Sequence, residues 1–196
     1  MILKGKQLEK LEKINQNSSK RTAVALSQLL GEKVNVSFSD ISIKLLNDVY
    51  QFKKNHLFSC CHLVGDVTGS TIFVLHEDYS SAITKMILQK LLGSSEKSPK
   101  NPKIVLNELT NIITGTYLST LADHLSFKIL PTPPKYFTDP KKADNFVNKS
   151  KDGIVLFIKT ILSVKSKKID GELILVLDEK SLKKMIAFLK YSMILS

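Results

Sequence analysis

Long apolar runs and bridgeable cysteines are both missing from this sequence of 196 residues. Even the longest apolar runs, such as Ile154 to Ile158 and Leu173 to Leu177, are far shorter than the ~20 residues that span a bilayer, so we expect no membrane insertion. Cys60 and Cys61 are adjacent and cannot easily bridge each other, which argues against a disulfide framework. Lys4 follows directly after three apolar residues, a start unlike a secretory signal. We therefore expect a cytoplasmic protein.

The signatures of several common enzyme chemistries are also missing. The sequence contains no GxxxxGK[ST], GxSxG, dinucleotide-binding or HExxH motif. Cys60, Cys61 and His62 could be imagined as a soft metal site, but strand alternation sends Cys61 to the opposite face from the other two. Buried structural cysteines are therefore the favoured interpretation, and we expect the protein to hold no metal or cofactor of its own.

Arginine is scarce although the chain is strongly basic. Arg21 is the only arginine among 29 basic residues, and the formal net charge is +11. Base and phosphate recognition favours the planar guanidinium fork, so we interpret the lysines as solvated surface and expect no nucleic-acid partner. A basic nucleic-acid-binding protein stays open as an alternative, and a steep salt dependence of DNA affinity would support it. An acidic protein partner would associate faster in this field.

A helix, three strands and a second helix are predicted twice along the chain. The half-repeats cover about residues 6–93 and 103–193, and a polar, proline-containing linker joins them at 94–102. A repeat of this size, with one apolar sheet face in each half, suggests pseudo-twofold halves that share a continuous sheet in a single domain, 1–196. The predicted helices are 6–30, 79–92, 103–125 and 179–193; the predicted strands are 34–43, 56–64, 70–75, 127–130, 153–165 and 171–177; a polar loop that could carry a short turn of helix is predicted at 135–152.

The second long helix carries a carboxylate and an amide on one face. Glu108 and Asn111 are three residues apart, and Gly115 follows Asn111 by four. Because glycine inside a helix costs about 1 kcal/mol relative to alanine, Gly115 indicates close approach by another molecule. Glu and Asn at this spacing also occur by chance on exposed helices without any function.

A resemblance to a known family adds weight to this helix. Glu-x-x-Asn with twenty-two residues between the Asn and a Pro, here Glu108, Asn111 and Pro134, resembles the active-site signature of the CheC/CheX/FliY family of chemotaxis phosphatases. Gly115-Thr-Tyr and Leu121-Ala-Asp are also typical of CheC. The family usually has Ser or Asp where this chain has Ile104.

The resemblance implies a fold and a reaction. The fold would be an α/β domain with a mainly antiparallel six-stranded sheet and the two long helices side by side on one face. The protein would hydrolyse the aspartyl phosphate of CheY or a similar response-regulator receiver. Asn111 would orient the attacking water, Glu108 would pair with the receiver's lysine, Gly115 would clear the surface, and Pro134 would fix the strand exit near the site. The Mg²⁺ would belong to the receiver, and the deamidase CheD is a further candidate partner.

The first long helix lacks an equivalent pair. Superposing the two helices places Lys13 over Glu108 and Gln16 over Asn111, so this first site is predicted to be degenerate. Glu12 and Asn15 form a Glu-x-x-Asn one residue out of register, which rotates them by ~100° around the helix; an insertion after Asn15 would restore the register. The alternative function is a catalytically weak or inactive adaptor that binds a receiver or CheD.

Overall fold

Five α-helices and seven strands make up most of the described part of the chain. The computed structural model describes residues 5–45, 51–92, 102–147 and 154–191. The predicted linker 94–102 lies outside these residues except for Pro102, and Gly93 and Gly153 lie outside them as well. The helices are α1 (Lys6–Leu30), α2 (Ser80–Leu92), α3 (Pro102–Leu125), α4 (Pro140–Val147) and α5 (Glu179–Tyr191). The strands are β1 (Asn35–Leu45), β2 (His56–Gly65), β3 (Gly69–His76), β4 (Ile129–Pro131), β5 (Lys135–Phe137), β6 (Ile154–Val164) and β7 (Ile169–Leu177).

The two long helices end in the same way. After α1, Gly31 adopts the left-handed conformation (φ 67°), and its N–H donates to the Ser27 carbonyl at 3.0 Å. This is the common glycine stop of a helix. After α3, Ser126 takes the same region (φ 52°). Ser126 stands 95 positions after Gly31, the same spacing that separates Lys13 from Glu108.

The sheet is antiparallel throughout and is nearly symmetric. Its order is β1-β6-β7-β3-β2-β4, and β5 also pairs with β2. If β1, β2 and β3 are exchanged with β4, β6 and β7, the same strand order is read from the opposite edge of the sheet. The predicted α/β fold with pseudo-twofold halves and a mainly antiparallel sheet is therefore confirmed.

One edge of the sheet is built from two short strands instead of one. β4 pairs with Leu63–Gly65 of β2, and β5 pairs with Phe58–Cys60 of the same strand. Thr132, Pro133 and Pro134 separate them, and proline cannot donate a ladder hydrogen bond. Six sheet positions therefore hold seven strands, and part of the predicted loop 135–152 is β5 and α4.

The four helices other than α4 cover one face of the sheet and share its main hydrophobic core. Ile14 of α1, Ile83 of α2, Leu109 of α3 and Leu182 of α5 are all buried in that cluster. The opposite face has a smaller cluster, to which α4 contributes Ala143. As predicted, the two long helices lie side by side on one face. No helix among the described residues has the length and apolar character to cross a membrane.

The two long helices run antiparallel. Asn15, in the first half of α1, contacts Tyr117 in the second half of α3. Leu26, near the end of α1, lines a small apolar cavity with Leu109 and Ile113 from the first half of α3. A pseudo-twofold axis perpendicular to the sheet gives this arrangement, because it relates antiparallel strands and antiparallel helices on the same face.

The adjacent cysteines lie on opposite faces of the sheet. Cys60 belongs to the smaller cluster, whereas Cys61 points toward Thr114 of α3. Both side chains are fully buried, and burial raises the pKa of each thiol. Strand alternation thus separates them as predicted, and Cys60 and Cys61 cannot join His62 in one set of metal ligands.

Candidate functional site

The predicted pair, Glu108 and Asn111, lies on the solvent-exposed face of α3. Glu108 and Asn111 are both exposed, and neither makes a side-chain hydrogen bond or ion pair with the described residues. Ile104, four residues before Glu108, is 63% exposed on the same face. Gly115 continues this face four residues after Asn111. These four residues define what we call the α3 face.

The buried side chains of α3 determine which of its residues face solvent. Leu109, Ile113 and Tyr117 are almost fully inaccessible and pack into the main core. Their spacing of four residues places them on one stripe of the helix, so Glu108 and Asn111 are directed to solvent. Ile112 is half-buried at the border of this stripe.

Gly115 leaves an unfilled space on the surface. A Cβ atom built at this residue would meet no heavy atom within 4 Å, and its φ does not require glycine. Internal packing therefore does not explain glycine at this position, although it weakens the helix by about 1 kcal/mol relative to alanine. A molecule that approaches the α3 face would explain it.

A polar contact ties the site helix to the sheet. The Ser59 hydroxyl on β2 donates to the Asn107 side-chain oxygen at 3.1 Å. Ser59 is 2% exposed and pairs with Tyr136 of β5. Because Asn107 directly precedes Glu108, this bond holds the turn of α3 that carries the carboxylate against the strands at the sheet edge.

Pro134 lies at that same edge, immediately before β5, and is half-buried. The bend leading to it is held by Thr132, whose N–H donates to the His62 carbonyl at 2.8 Å. The Thr132 hydroxyl accepts from the His62 N–H at 3.0 Å. Helix α3 packs against both β4 and β5. Glu108, Asn111 and Gly115 thus share one surface, and Pro134 belongs to the strand bend over which their helix is packed.

The second Glu-x-x-Asn of the chain is not presented to solvent. Asn15 is fully buried, and its amide donates to the Leu11 carbonyl at 2.7 Å. The Tyr117 hydroxyl donates to the Asn15 side-chain oxygen, and the Thr160 hydroxyl donates to Tyr117 at 3.4 Å. Glu12 is half-buried. Asn15 therefore joins α1, α3 and β6 from inside and cannot reach a partner protein in this conformation.

The outward face of α1 carries different chemistry. Lys13, Gln16 and Lys20 are exposed, and none makes a side-chain hydrogen bond or ion pair with the described residues. Each residue lies 95 positions before its counterpart on α3, so the three correspond in order to Glu108, Asn111 and Gly115. On α1 a cation thus stands in place of the carboxylate, a longer carboxamide in place of the Asn, and a lysine in place of the glycine. We call these three residues the α1 face.

Sequence reasoning missed both internal polar contacts. Asn15 shares the buried stripe of α1 with Leu11, Ser18 and Thr22, and its spacing from Leu11 and Ser18 was a usable signal. Asn107 carried no such signal, because its partner Ser59 is distant in sequence. Among the described residues, no group of three or more His, Cys, Asp or Glu could hold a metal ion.

Comparison with known proteins finds similarity to the CheC-like family in the segment that carries the predicted site. The CheC-like family model matches residues 105–137, which include Glu108, Asn111 and Pro134. The CheY-P phosphatase CheC of Bacillus subtilis is 22% identical over 147 residues, which are 70% of this chain and 68% of that protein. The predicted resemblance to the CheC-like family is confirmed.

Solved structures share the fold. Thermotoga maritima FliY has a TM-score of 0.74 at 16% identity, over 97% of this chain and 99% of that one. FliM in the FliM-SpeE complex from H. pylori has a TM-score of 0.70 at 11% identity, over 97% of each chain. The CheX-CheY-BeF3-Mg complex from Borrelia burgdorferi matches with a TM-score of 0.55 at 18% identity, over 84% of this chain and 98% of that one.

Proposed function

We propose that this protein, which resembles the CheC-like family, hydrolyses the aspartyl phosphate of CheY or a similar receiver. The observation that carries the proposal is the side-by-side exposure of Glu108 and Asn111 inside the segment that the family model matches. The similarity to a CheY-P phosphatase and to the CheX of a complex with CheY supports it. Such a phosphatase would work in the cytoplasm, where its receiver is.

The amide of Asn111 suits the chemical step. An aspartyl phosphate is an activated mixed anhydride, and its hydrolysis depends mainly on positioning and charge stabilisation of an in-line water. A carboxamide oxygen accepts a hydrogen bond and its nitrogen donates one. Asn111 can therefore orient the water without adding a negative charge that would repel the phosphoryl oxygens.

The carboxylate of Glu108 suits docking. It lies one turn before Asn111 on the same face, where it would pair with the lysine beside the receiver's phosphoryl group. A charge-assisted hydrogen bond of this kind sets the register of the two proteins. The space beside Gly115 would admit the receiver's loop, and Pro134 would keep the sheet edge under α3 in place. The Mg²⁺ of the reaction would be bound by the receiver.

One working site in each chain is expected. On the α1 face, Lys13 would repel the receiver's lysine, and Lys20 would place a long side chain at the position where α3 has Gly115. Asn15 is engaged by Tyr117 inside the fold.

A binding protein without catalysis is the second candidate. Ile104 stands where the family usually has Ser or Asp, and Lys13 and Gln16 stand on the α1 face at the positions equivalent to Glu108 and Asn111. Loss of supporting residues would weaken turnover before it weakened binding of a receiver or of CheD. The fold shared with FliM, crystallised in complex with SpeE, is compatible with a binding role.

The deciding experiment is phosphate release from a Mg²⁺-loaded, phosphorylated CheY of the same organism. The wild type should accelerate release, and Asn111→Ala should lose about 100-fold or more of that acceleration while it still binds the receiver. Gln16→Ala is the matched control, because it removes the exposed carboxamide at the equivalent position of α1. Receiver binding without acceleration by the wild type would favour the second candidate.

A further inference from the structure

Ile104 is an unusual side chain for its place on α3. It is 63% exposed, whereas the other large apolar side chains described for α3 are buried or half-buried. It lies four residues before Glu108 and seven before Asn111, which are spacings of one and two helical turns. Ile104 therefore extends the α3 face beyond the two residues to which the phosphatase chemistry is attributed.

A protein that places a phosphoryl group at Asn111 through an interface of standard size would also cover Ile104. Seven residues along a helix correspond to ~10 Å. A standard protein interface covers about 800 Å² on each partner, equivalent to a disc with a radius of roughly 16 Å. Ile104 is thus well inside the area that a receiver bound at Asn111 would occupy.

We propose, on the basis of the phosphatase function above, that Ile104 is an apolar docking contact that selects the receiver. Its partner would be an apolar side chain on the surface of the phosphorylated receiver, next to the phosphoacceptor site. Isoleucine has no side-chain hydrogen-bonding group, so a polar receiver surface covering it would lose water without compensation. An apolar surface would bury the exposed carbons of Ile104 and stabilise the complex. Ile104 thereby acts on affinity and partner choice, and Asn111 acts on the chemical step.

The test compares Ile104→Ser with the wild type in two assays. Phosphate release gives KM and kcat for the phosphorylated receiver, and titration with the beryllofluoride-loaded receiver gives Kd. Ile104→Ser should raise both KM and Kd about tenfold at unchanged kcat, because it removes apolar contact area. Ile104→Leu should restore nearly full affinity, since it keeps the apolar surface.

Leu130→Ser is the matched control. Leu130 is 47% exposed and follows Ile129, which faces the main core, so Leu130 points to the opposite face of the sheet. This variant should leave KM and Kd unchanged. An unchanged or lower KM and Kd in Ile104→Ser, or a fall in kcat alone, would overturn the docking role.

The two proposals fail in different ways. A wild type that binds the beryllofluoride-loaded receiver but does not accelerate phosphate release contradicts the phosphatase function, and the Kd of Ile104→Ser still decides the docking role. A wild type that neither binds nor hydrolyses overturns both.

Discussion

The helices α1 and α3 occupy equivalent places in the two halves of the fold, but their solvent-facing side chains differ in charge and size. Their inner sides match in detail: the Asn15 amide donates to the Leu11 carbonyl at 2.7 Å, and the Thr110 hydroxyl donates to the Leu106 carbonyl at 2.7 Å. Both acceptors and both donors are 95 positions apart. The outer sides share neither charge nor shape. Packing therefore constrains the buried half of each helix, and the exposed half is free to gain or lose a binding site.

Reversing the charge of the α3 face should have the largest effect. Glu108→Lys would give it the cation that Lys13 supplies on α1, and two ammonium groups would then meet at the docking contact. We expect kcat/KM for receiver dephosphorylation to fall by about 100-fold, equivalent to about 2.7 kcal/mol. Lys13→Glu is the control and should leave kcat/KM within about twofold in steady-state assays. A similar loss in both variants would mean that the two faces are not distinct.

Removing the buried hydrogen-bonding side chain should cost more stability in α1 than at the equivalent position in α3. Asn15→Ala removes the acceptor of the fully buried Tyr117 hydroxyl, and an unsatisfied buried group costs about 1–3 kcal/mol. We expect a loss of about 2–3 kcal/mol in the free energy of unfolding, measured in urea. Thr110→Ala removes only a bond to a backbone carbonyl of its own helix and should cost about 1 kcal/mol or less. Equal losses would show that the contact with Tyr117 contributes nothing.

Filling the space beside Gly115 should separate stability from function. Gly115→Ala should raise the free energy of unfolding by up to about 1 kcal/mol, because alanine is the better helix former and its Cβ meets no neighbour. The same change should lower kcat/KM if the receiver approaches this surface. A variant that gains stability and keeps full activity would remove Gly115 from the docking surface.

Giving the α1 face the outward residues of α3 should have the smallest effect on activity. Lys13→Glu, Gln16→Asn and Lys20→Gly together give α1 the outward residues of α3. If the pseudo-twofold halves are equivalent in backbone, the rate of phosphate release per chain should rise up to about twofold, since two independent sites would act in place of one. The triple variant with Asn111→Ala added should then retain measurable activity. Its complete inactivity would show that more than these three residues separates the faces.

The sequence predicted the elements better than their internal contacts. The long helices, their ends at Gly31 and Leu125, and the exposure of Glu108 and Asn111 follow from local spacing, which a single chain displays. The strand β5 and helix α4 lie in a polar segment whose apolar residues are too few to show a period. The contact of Ser59 with Asn107 joins residues distant in sequence, so it becomes visible only after the strands have paired.

The divided edge of the sheet also decides how partners can attach. An exposed edge strand offers its backbone to strands of other chains. Near the site, Pro133 and Pro134 remove two N–H donors between β4 and β5, and Thr132 uses its N–H and hydroxyl on His62. This edge is poorly suited to growth by an added strand, whereas β1 at the other end is a single strand of 11 residues with one register shift between Phe38 and Asp40. Of the two edges, we therefore expect the β1 edge to be the easier one to extend by an added strand, and it lies away from the helix turn that carries Glu108.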